Sequence, residues 1–446
     1  MNNIWTIVKL NLQLARRKWV FTGITLTLAI TGAFIFFASS GDGNPINEIQ
    51  LRLRYSYGLT YALLTLIVLA MACFTIRNQL DSKNIHMVSA YPVKRWQIWL
   101  GNWASVFIIA IHGQIILMST MLGCVEYYQN YKVKDEFKTA TATAISQIRA
   151  EVKPLQESIK EKTNARIERL IEEGKIEGDV TDEMWRANYK IARKETIVLP
   201  PKAIKKFEFN LAQKPTLGKV VVIRYKILAK SRKEKIKGSW ILETQDSTSY
   251  FKHDFEVTTY TETYFLIPMT QIPSSGKFTL TLKAQNKAEI VIPEDRGLTL
   301  LYQDGFLKDN VIKTSVSQFI HLATATAAGV TAGTALTFPV ASFVAIVFYF
   351  LSMSAGFFKS TVQDITQNTH DTSLLSQLSV IFIETGMWLS KGLQQPDVIE
   401  KFSTSISIPW GETMLQWGFP IILYMIVVAA LGMLIMHKKE LDKKVN

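Results

Sequence analysis

Six long apolar blocks constrain this chain more than anything else in it: Trp19–Phe37, Gly58–Ile76, Leu100–Gly123, Val316–Leu336, Val340–Phe358 and Glu412–Met436. Crossing roughly 30 Å of hydrocarbon at 1.5 Å per residue takes about 20 largely apolar residues in helical form. Lipid offers no partner to backbone polar groups, so each block is expected to be a helix. A hydrophobic share of 48% in 446 residues would suit many soluble proteins. Here the apolar residues gather towards the two ends and leave the middle polar. The expectation is an α-helical membrane protein with six transmembrane helices and a large insertion between the third and fourth.

Basic flanks orient the spans. Lys9, Arg16, Arg17 and Lys18 precede the first; Arg77, Lys83, Lys94 and Arg95 lie between the second and third; Lys438, Lys439, Lys443 and Lys444 follow the last. Such residues mark the cytoplasmic side. Both termini are therefore expected in the cytoplasm and residues 124–315 outside it. No Ala-x-Ala-like site follows Phe37, so the first block is expected to stay in the protein. Ser373–Leu389 is apolar enough to suggest a seventh span, but it carries Gln377 and Glu384. A seventh span would also export the Lys-rich C-terminus, so this stretch is read as an amphipathic or re-entrant element within an outer segment, 359–411. The net charge of +13 comes partly from these flanks and forms no continuous stripe, which argues against nucleic acid as a partner. Cys73 and Cys124 belong to opposite ends of their spans, too far apart for a disulfide.

Residues 1–18 contain a helical pattern over Asn3–Arg17. Ile4, Ile7, Val8, Leu12 and Ala15 share one side, and Lys9, Arg16 and Arg17 are left for water. Such a helix either lies along the inner surface or simply anchors the first span.

The insertion has two parts. In 124–199, Ile145, Ile148, Val152, Leu155 and Ile159 follow 3,4 spacing and predict a helical seam kinked at Pro154. Gly174–Gly178 interrupts it, and Thr181 with Asp182 and Glu183 opens a second helix. The expectation is a helical hairpin, either standing off the membrane or packed on its neighbour. In 200–304 the period becomes two: Val221, Ile223, Tyr225 and Ile227 alternate with Val222, Arg224 and Lys226. Short runs at Phe207–Leu211, Ser239–Leu242, Thr263–Ile267, Phe278–Lys283 and Glu289–Ile292 predict an antiparallel β-sandwich.

Chemistry-bearing motifs are scarce. There is no phosphate-binding loop: Gly276-Lys277 lacks the leading glycine, which is Gln271, and Phe278 stands where a hydroxyl residue belongs. Paired-cysteine metal spacings, His-Glu-x-x-His and Gly-x-Ser-x-Gly are absent too. His112, near the middle of the third span, is either a polar pathway residue or a hydrogen-bonding partner between helices. The fourth span is small and hydroxylated. Its Gly329 and Gly333 form a Gly-x-x-x-Gly pair suited to close helix approach. Thr324, Thr326, Thr331 and Thr334 either line a polar path or bond back to their own helix. Pro339 makes a tight turn before the fifth span.

The loop 77–99 holds a short helical stretch ending at Pro92, then a basic and aromatic return to the membrane. It resembles the ABC-2 type permease family. Asp81 matches that family's acid after the second span. Pro92, Val93, Arg95, Trp96, Ile98, Leu100, Gly101 and Trp103 match its Pro-Val-x-Arg-Trp-x-Ile-x-Leu-Gly-Lys-Trp pattern. Asn102 replaces the usual Lys. Ile408-Pro409-Trp410, Phe338-Pro339-Val340-Ala341 and the terminal Glu440-Leu441 are similar to family features as well. The resemblance covers 1–123 and 305–446, is closest to permeases of nitrous-oxide-reductase maturation and sodium efflux, and does not extend to the insertion. It implies an exporter fold, in a bacterial inner membrane, working as a dimer of permeases with a cytoplasmic ABC ATPase. That ATPase would hold the ATP and Mg, and this chain would bind no cofactor. Asp81, Lys83, Ile85, Tyr91, Pro92, Arg95 and Trp96 would then seat in the ATPase groove, with Asn3–Arg17 as a connecting helix. Two other readings stay open: a mechanotransmission subunit driving its outer domain, and a membrane-anchored binding or sensor protein with a secreted or periplasmic partner. An enzyme is disfavoured, since no nucleophile–base pair or metal cluster stands out.

Overall fold

The computed structural model describes residues 2–40, 45–81, 93–155, 159–175, 180–211, 217–218, 220–229, 235–243, 251–259, 262–286, 289–293, 297–355, 357, 381, 383–387, 390–395 and 398–438. Its chain divides into two compact units, Met1–Ser146 with Leu307–Asn446, and Gln147–Phe306.

The first unit is helical. An amphipathic helix, α1 (Asn2–Arg17), buries Ile7, Val8, Asn11 and Ala15 and leaves Lys9, Arg16 and Arg17 exposed. Trp19 adopts a left-handed backbone, φ 57°, and turns the chain into α2 (Val20–Ala38). Then come α3 (Pro45–Asp81), α4 (Arg95–Tyr131) and α5 (Asp135–Ser146). After the second unit follow α8 (Leu307–Ala335), α9 (Phe338–Met353), α10 (Val398–Ser403) and α11 (Phe419–Lys438). A π turn, Met414–Gly418, precedes α11. Pro420 supplies no N–H to the helix ladder there, which favours the wider turn.

Among the described residues, four helices are long and apolar enough to cross a membrane: Val20–Ala38, Pro45–Asp81, Arg95–Tyr131 and Met414–Lys438. The other two expected spans differ for separate reasons. The helix α8 is long enough but buries Asn310, Thr314, Ser317, Gln318, His321, Thr324 and Thr326, a polar load that an apolar window does not tolerate. The helix α9 has 16 residues, about 24 Å at 1.5 Å each, and ends at Met353 rather than Phe358. Both α3 and α4 run 37 residues, well past the expected Gly58–Ile76 and Leu100–Gly123.

Gly329 and Gly333 do what close packing asks. A Cβ on Gly333 would fall 2.6 Å from the Cys73 carbonyl, and one on Gly329 the same distance from Ala72 Cβ, so α8 lies directly on α3. Cys73 and Cys124 are both free thiols.

The second unit corrects the expected helical seam. Ile148 and Val152 belong to a strand, β1 (Gln147–Val152), not to a helix kinked at Pro154. Leu155 forms a bridge to Glu208, and Ile145 closes α5. The 3,4 spacing arose by joining the end of a helix to a strand. The hairpin itself is shorter: α6 (Ile159–Glu172) and α7 (Asp182–Ile197), with Thr181 capping the second. Trp185 Nε1 donates to Asn164 Oδ1 at 3.0 Å and Arg166 pairs with Glu195 at 3.0 Å across it. Lys205 donates to the Thr196 carbonyl, so the hairpin is tied to its neighbouring sheet.

Three antiparallel sheets follow. One orders β1, β11 (Leu298–Phe306), β4 (Val220–Lys226) and β8 (Glu262–Pro268). Another orders β3 (Ile204–Asn210), β9 (Lys277–Ala284), β6 (Lys235–Glu243) and β7 (Phe251–Thr258). A small one joins β2 (Val198–Leu199), β10 (Ile290–Val291) and β5 (Leu228–Ala229). Val221, Ile223, Tyr225 and Phe265 from the first share a core with Phe207, Trp240 and Leu280 from the second, which is the expected sandwich. Burial pushes the Tyr225 phenol up to about 12, so it serves as a neutral aromatic, 5.4 Å from Trp240. The Arg224 face is buried as well: its guanidinium meets Glu151 at 2.6 Å and Thr299 at 3.0 Å. Trp240→Ala should cost about 3–5 kcal/mol by leaving a cavity between the two sheets. Protease protection of residues 200–304 in the full chain reads this out, and unchanged protection would contradict the shared core.

Candidate functional site

Polar side chains inside a membrane helix bundle are expensive to bury, so where they converge is the first place to look for function. They converge twice in the helical unit.

The deeper site is a seam between α3, α4 and α8. Tyr57 and Tyr61, one turn apart, point at Gln318 and His321, one turn apart on α8. The Tyr57 hydroxyl donates to Gln318 Oε1 at 2.5 Å, and Gln114 of α4 donates to the Tyr57 oxygen at 2.9 Å and to Gln318 Oε1. The Tyr61 hydroxyl lies 2.8 Å from His321 Nδ1, and His321 Nε2 lies 2.9 Å from the Leu393 carbonyl. A carbonyl only accepts, so Nε2 carries the proton, and in the neutral ring Nδ1 then accepts from Tyr61. Around this chain Gln114 Oε1, Gln318 Nε2 and the hydroxyls of Thr60, Thr314 and Ser317 are buried without a hydrogen-bond partner. The seam thus offers both donors and acceptors, and among the described residues it contains no carboxylate, ammonium or guanidinium.

Leu393 reaches His321 because residues 390–395 and 398–408 pack against α8. Asn310 Nδ2 donates to the Ile406 carbonyl at 2.7 Å, and Lys313 Nζ to the Ile408 carbonyl at 3.1 Å. From Asn310 to His321 the helix advances about 16 Å. The described parts of this segment therefore touch both the start of α8 and a point farther along it. Ser352 also donates to the Leu393 carbonyl, at 2.9 Å, and Gln395 donates to the Tyr349 hydroxyl at 2.7 Å. Irregular backbone buried in this way is stable only when protein satisfies its polar groups. The amphipathic or re-entrant element expected at Ser373–Leu389 lies largely outside the described residues. Within Ser373–Leu389 itself only 381 and 383–387 are described residues.

The second site lies at the end of the bundle where α1, α3, α4 and α11 meet. Asn11 Nδ2 donates to Asn102 Oδ1 and Ser105 Oγ, both at 3.1 Å. Gln79 Nε2 donates to Asn11 Oδ1 at 2.9 Å, and Asn102 Nδ2 to Gln79 Oε1 at 3.0 Å. The three amides close a ring that binds α1 to α3 and α4. Asn102, which the sequence presents as the loss of a basic residue, is fully buried at its centre. Gly101 lets α1 approach, since a Cβ there would lie 2.8 Å from Ile7.

The expected site residues distribute as follows. Lys83, Ile85, Tyr91 and Pro92 lie outside the described residues. Asp81 pairs with Arg77 at 2.7 Å, Arg95 donates to the His437 carbonyl at 2.6 Å, and Trp96 is exposed. His112 bonds Thr25 at 3.1 Å, the helix-bridging alternative. Thr324 bonds back to Ile320 at 3.0 Å, whereas Thr331 crosses to the Val428 carbonyl at 3.1 Å. Neither is part of the seam. Tyr57, Tyr61, Gln114 and Gln318 escaped the sequence reading because each is one polar residue in or beside an apolar block. The only signal was the spacing of Asn310, Thr314, Ser317, His321 and Thr324, which fall on one face of a helix.

Among the described residues no group of three His, Cys, Asp or Glu side chains is placed to hold a metal ion. No family model, curated protein or solved structure matches the chain.

Proposed function

We propose that this chain is the membrane subunit of an ATP-driven ABC transporter, an exporter permease with six spans in the inner membrane. ATP hydrolysis belongs to a separate cytoplasmic subunit, and a second permease copy completes the assembly. One observation carries the reading: the Asn11–Gln79–Asn102 ring fixes α1 to both helices joined by residues 82–92. A push on that segment would move α1, α3 and α4 together, as coupling to an ATPase requires. The seam around Gln318 supports a polar route through the same helices. Its neutral donors and acceptors suit an uncharged polar cargo better than a bare ion.

A mechanotransmission role is favoured by a different fact. At 37 residues, α3 and α4 each extend about 55 Å, far beyond the roughly 30 Å of hydrocarbon. Rods of that length deliver motion outside the bilayer.

Co-purification of the full chain with a P-loop ATPase subunit, and ATP turnover by the complex, tests the proposal. Tyr91→Ala with Pro92→Ala is expected to lower chain-stimulated hydrolysis about tenfold or more, the loss of one good contact. A chain that neither binds such a subunit nor changes its turnover rejects the reading. Cargo movement that stops when 390–408 is cross-linked to α8 separates the permease from the mechanotransmission role.

A further inference from the structure

A cavity of about 380 Å³ opens beside the connecting helix, bounded by α1, α2, α3 and α4. Its apolar walls include Met71, Phe74, Val106 and Ile109, and its inner end meets the polar side chains of Asn11 and Gln79. Three of its four walls are helices long and apolar enough to cross a membrane. At one corner stands Lys18, whose ammonium lies 6.0 Å from the centroid of the Phe74 ring. Arg16 and Arg17 precede it, and α1 contains no acidic residue. Among the described residues none of these three cations has an acidic partner within salt-bridge distance.

Leu10, Leu14 and Phe74 are each nearly half exposed on the rim, and Trp19 is 74% exposed beside it. An exposed tryptophan next to a basic cluster is the arrangement side chains adopt at the level of lipid headgroups. A volume in this range is that of a small-molecule site. The geometry points to an anionic phospholipid as its occupant: an acyl chain along Met71 and Ile109, and the phosphate at Lys18, which lines the cavity, with exposed Arg16 and Arg17 beside it in the chain. Shape and charge agree on this class of ligand. The apolar wall selects a hydrocarbon tail, and the unmatched positive charge selects an acidic head over a zwitterionic one. Because the site adjoins the α1–α4 contact, a bound lipid would stiffen the same joint that Asn11 and Asn102 close. The inference concerns binding and stands whether or not an ATPase drives the chain.

Native mass spectrometry of the full chain in mild detergent, titrated with dioleoylphosphatidylglycerol or dioleoylphosphatidylcholine, tests it. The native chain should retain the glycerol lipid about tenfold or more tightly than the choline lipid. Replacing Arg16, Arg17 and Lys18 together with Gln should abolish that preference and leave weak retention of both. Leu14→Trp, a change on the half-exposed rim, should lower retention of both lipids. Equal retention of the two lipids by the native chain overturns the proposal. So does a preference that survives the triple substitution, or retention that Leu14→Trp leaves unchanged.

Discussion

Arg52→Leu is expected to destabilise the helical unit by about 3–5 kcal/mol, the cost of breaking a buried ion pair from one side. Arg52 is only 8% exposed and holds three helices at once. It pairs with Glu48 at 2.6 Å, one turn away on α3. It donates to the Phe36 and Phe37 carbonyls at 2.9 and 3.2 Å, which belong to the last turn of α2. Its guanidinium also lies 4.8 Å from the centroid of Tyr128 on α4. The carbonyl contacts satisfy orphan groups at a helix C-terminus and match the negative end of its dipole. Removing Glu48 and Arg52 together should recover only part of the loss. The countercharge problem disappears with the pair, but the α2 carbonyls still lose their donor, at about 1–3 kcal/mol. Arg52→Lys should fall between, because a point charge cannot serve two carbonyls and a carboxylate in one plane. Denaturant titration of the full chain in bicelles measures all three. A single substitution costing less than about 1 kcal/mol would mean the cluster is solvated and does not bind the helices together.

What could be read from the chain, and what could not, divides along the reach of local pattern. Gly329 and Gly333 announce close packing because their smallness is itself the signal, and α8 lies on α3 through them. The amphipathic face of α1 was legible for the same reason: Ile7, Val8 and Ala15 repeat with the helix. The Ile145–Ile159 spacing misled, because β1 earns its conformation from β11. Gln147 pairs with Phe306 and Val152 with Leu300, partners that no local window includes. Asn102 read as a departure from a family pattern until its partners on α1 and α3 were seen. Arg52 sits only six residues before the apolar block at Gly58, where a flanking charge looks unremarkable. Its meaning comes from two carbonyls on a different helix.

The seam yields the second large expectation. His321→Leu should accelerate amide exchange of 390–395 and 398–408 about 30- to 100-fold, corresponding to about 2–3 kcal/mol of lost local stability. Among the described residues, His321 is the side chain that reaches both Tyr61 and the Leu393 carbonyl, at 2.8 and 2.9 Å. Its loss leaves the Tyr61 hydroxyl with the longer contact to the Gln318 carbonyl, 3.4 Å, and the Leu393 carbonyl with its bond from Ser352. Tyr61→Phe removes the upstream donor and keeps the bond to Leu393, so its effect on the same amides should be several-fold smaller. If the chain acts in series, adding Tyr61→Phe to His321→Leu changes the exchange of 390–408 little, since the contact that transmits Tyr61 is already gone. Strict additivity would instead mean that Tyr61 steadies the segment by another route. Residues 262–286, in the separate sheet unit, provide the control and should exchange as in the native chain. Asn310, Lys313 and Ser352 hold the segment as well, so the loss of His321 loosens it around Leu393 without unfolding the helices around it. Local release of this kind, rather than helix melting, is what the proposed transport role would require of the seam.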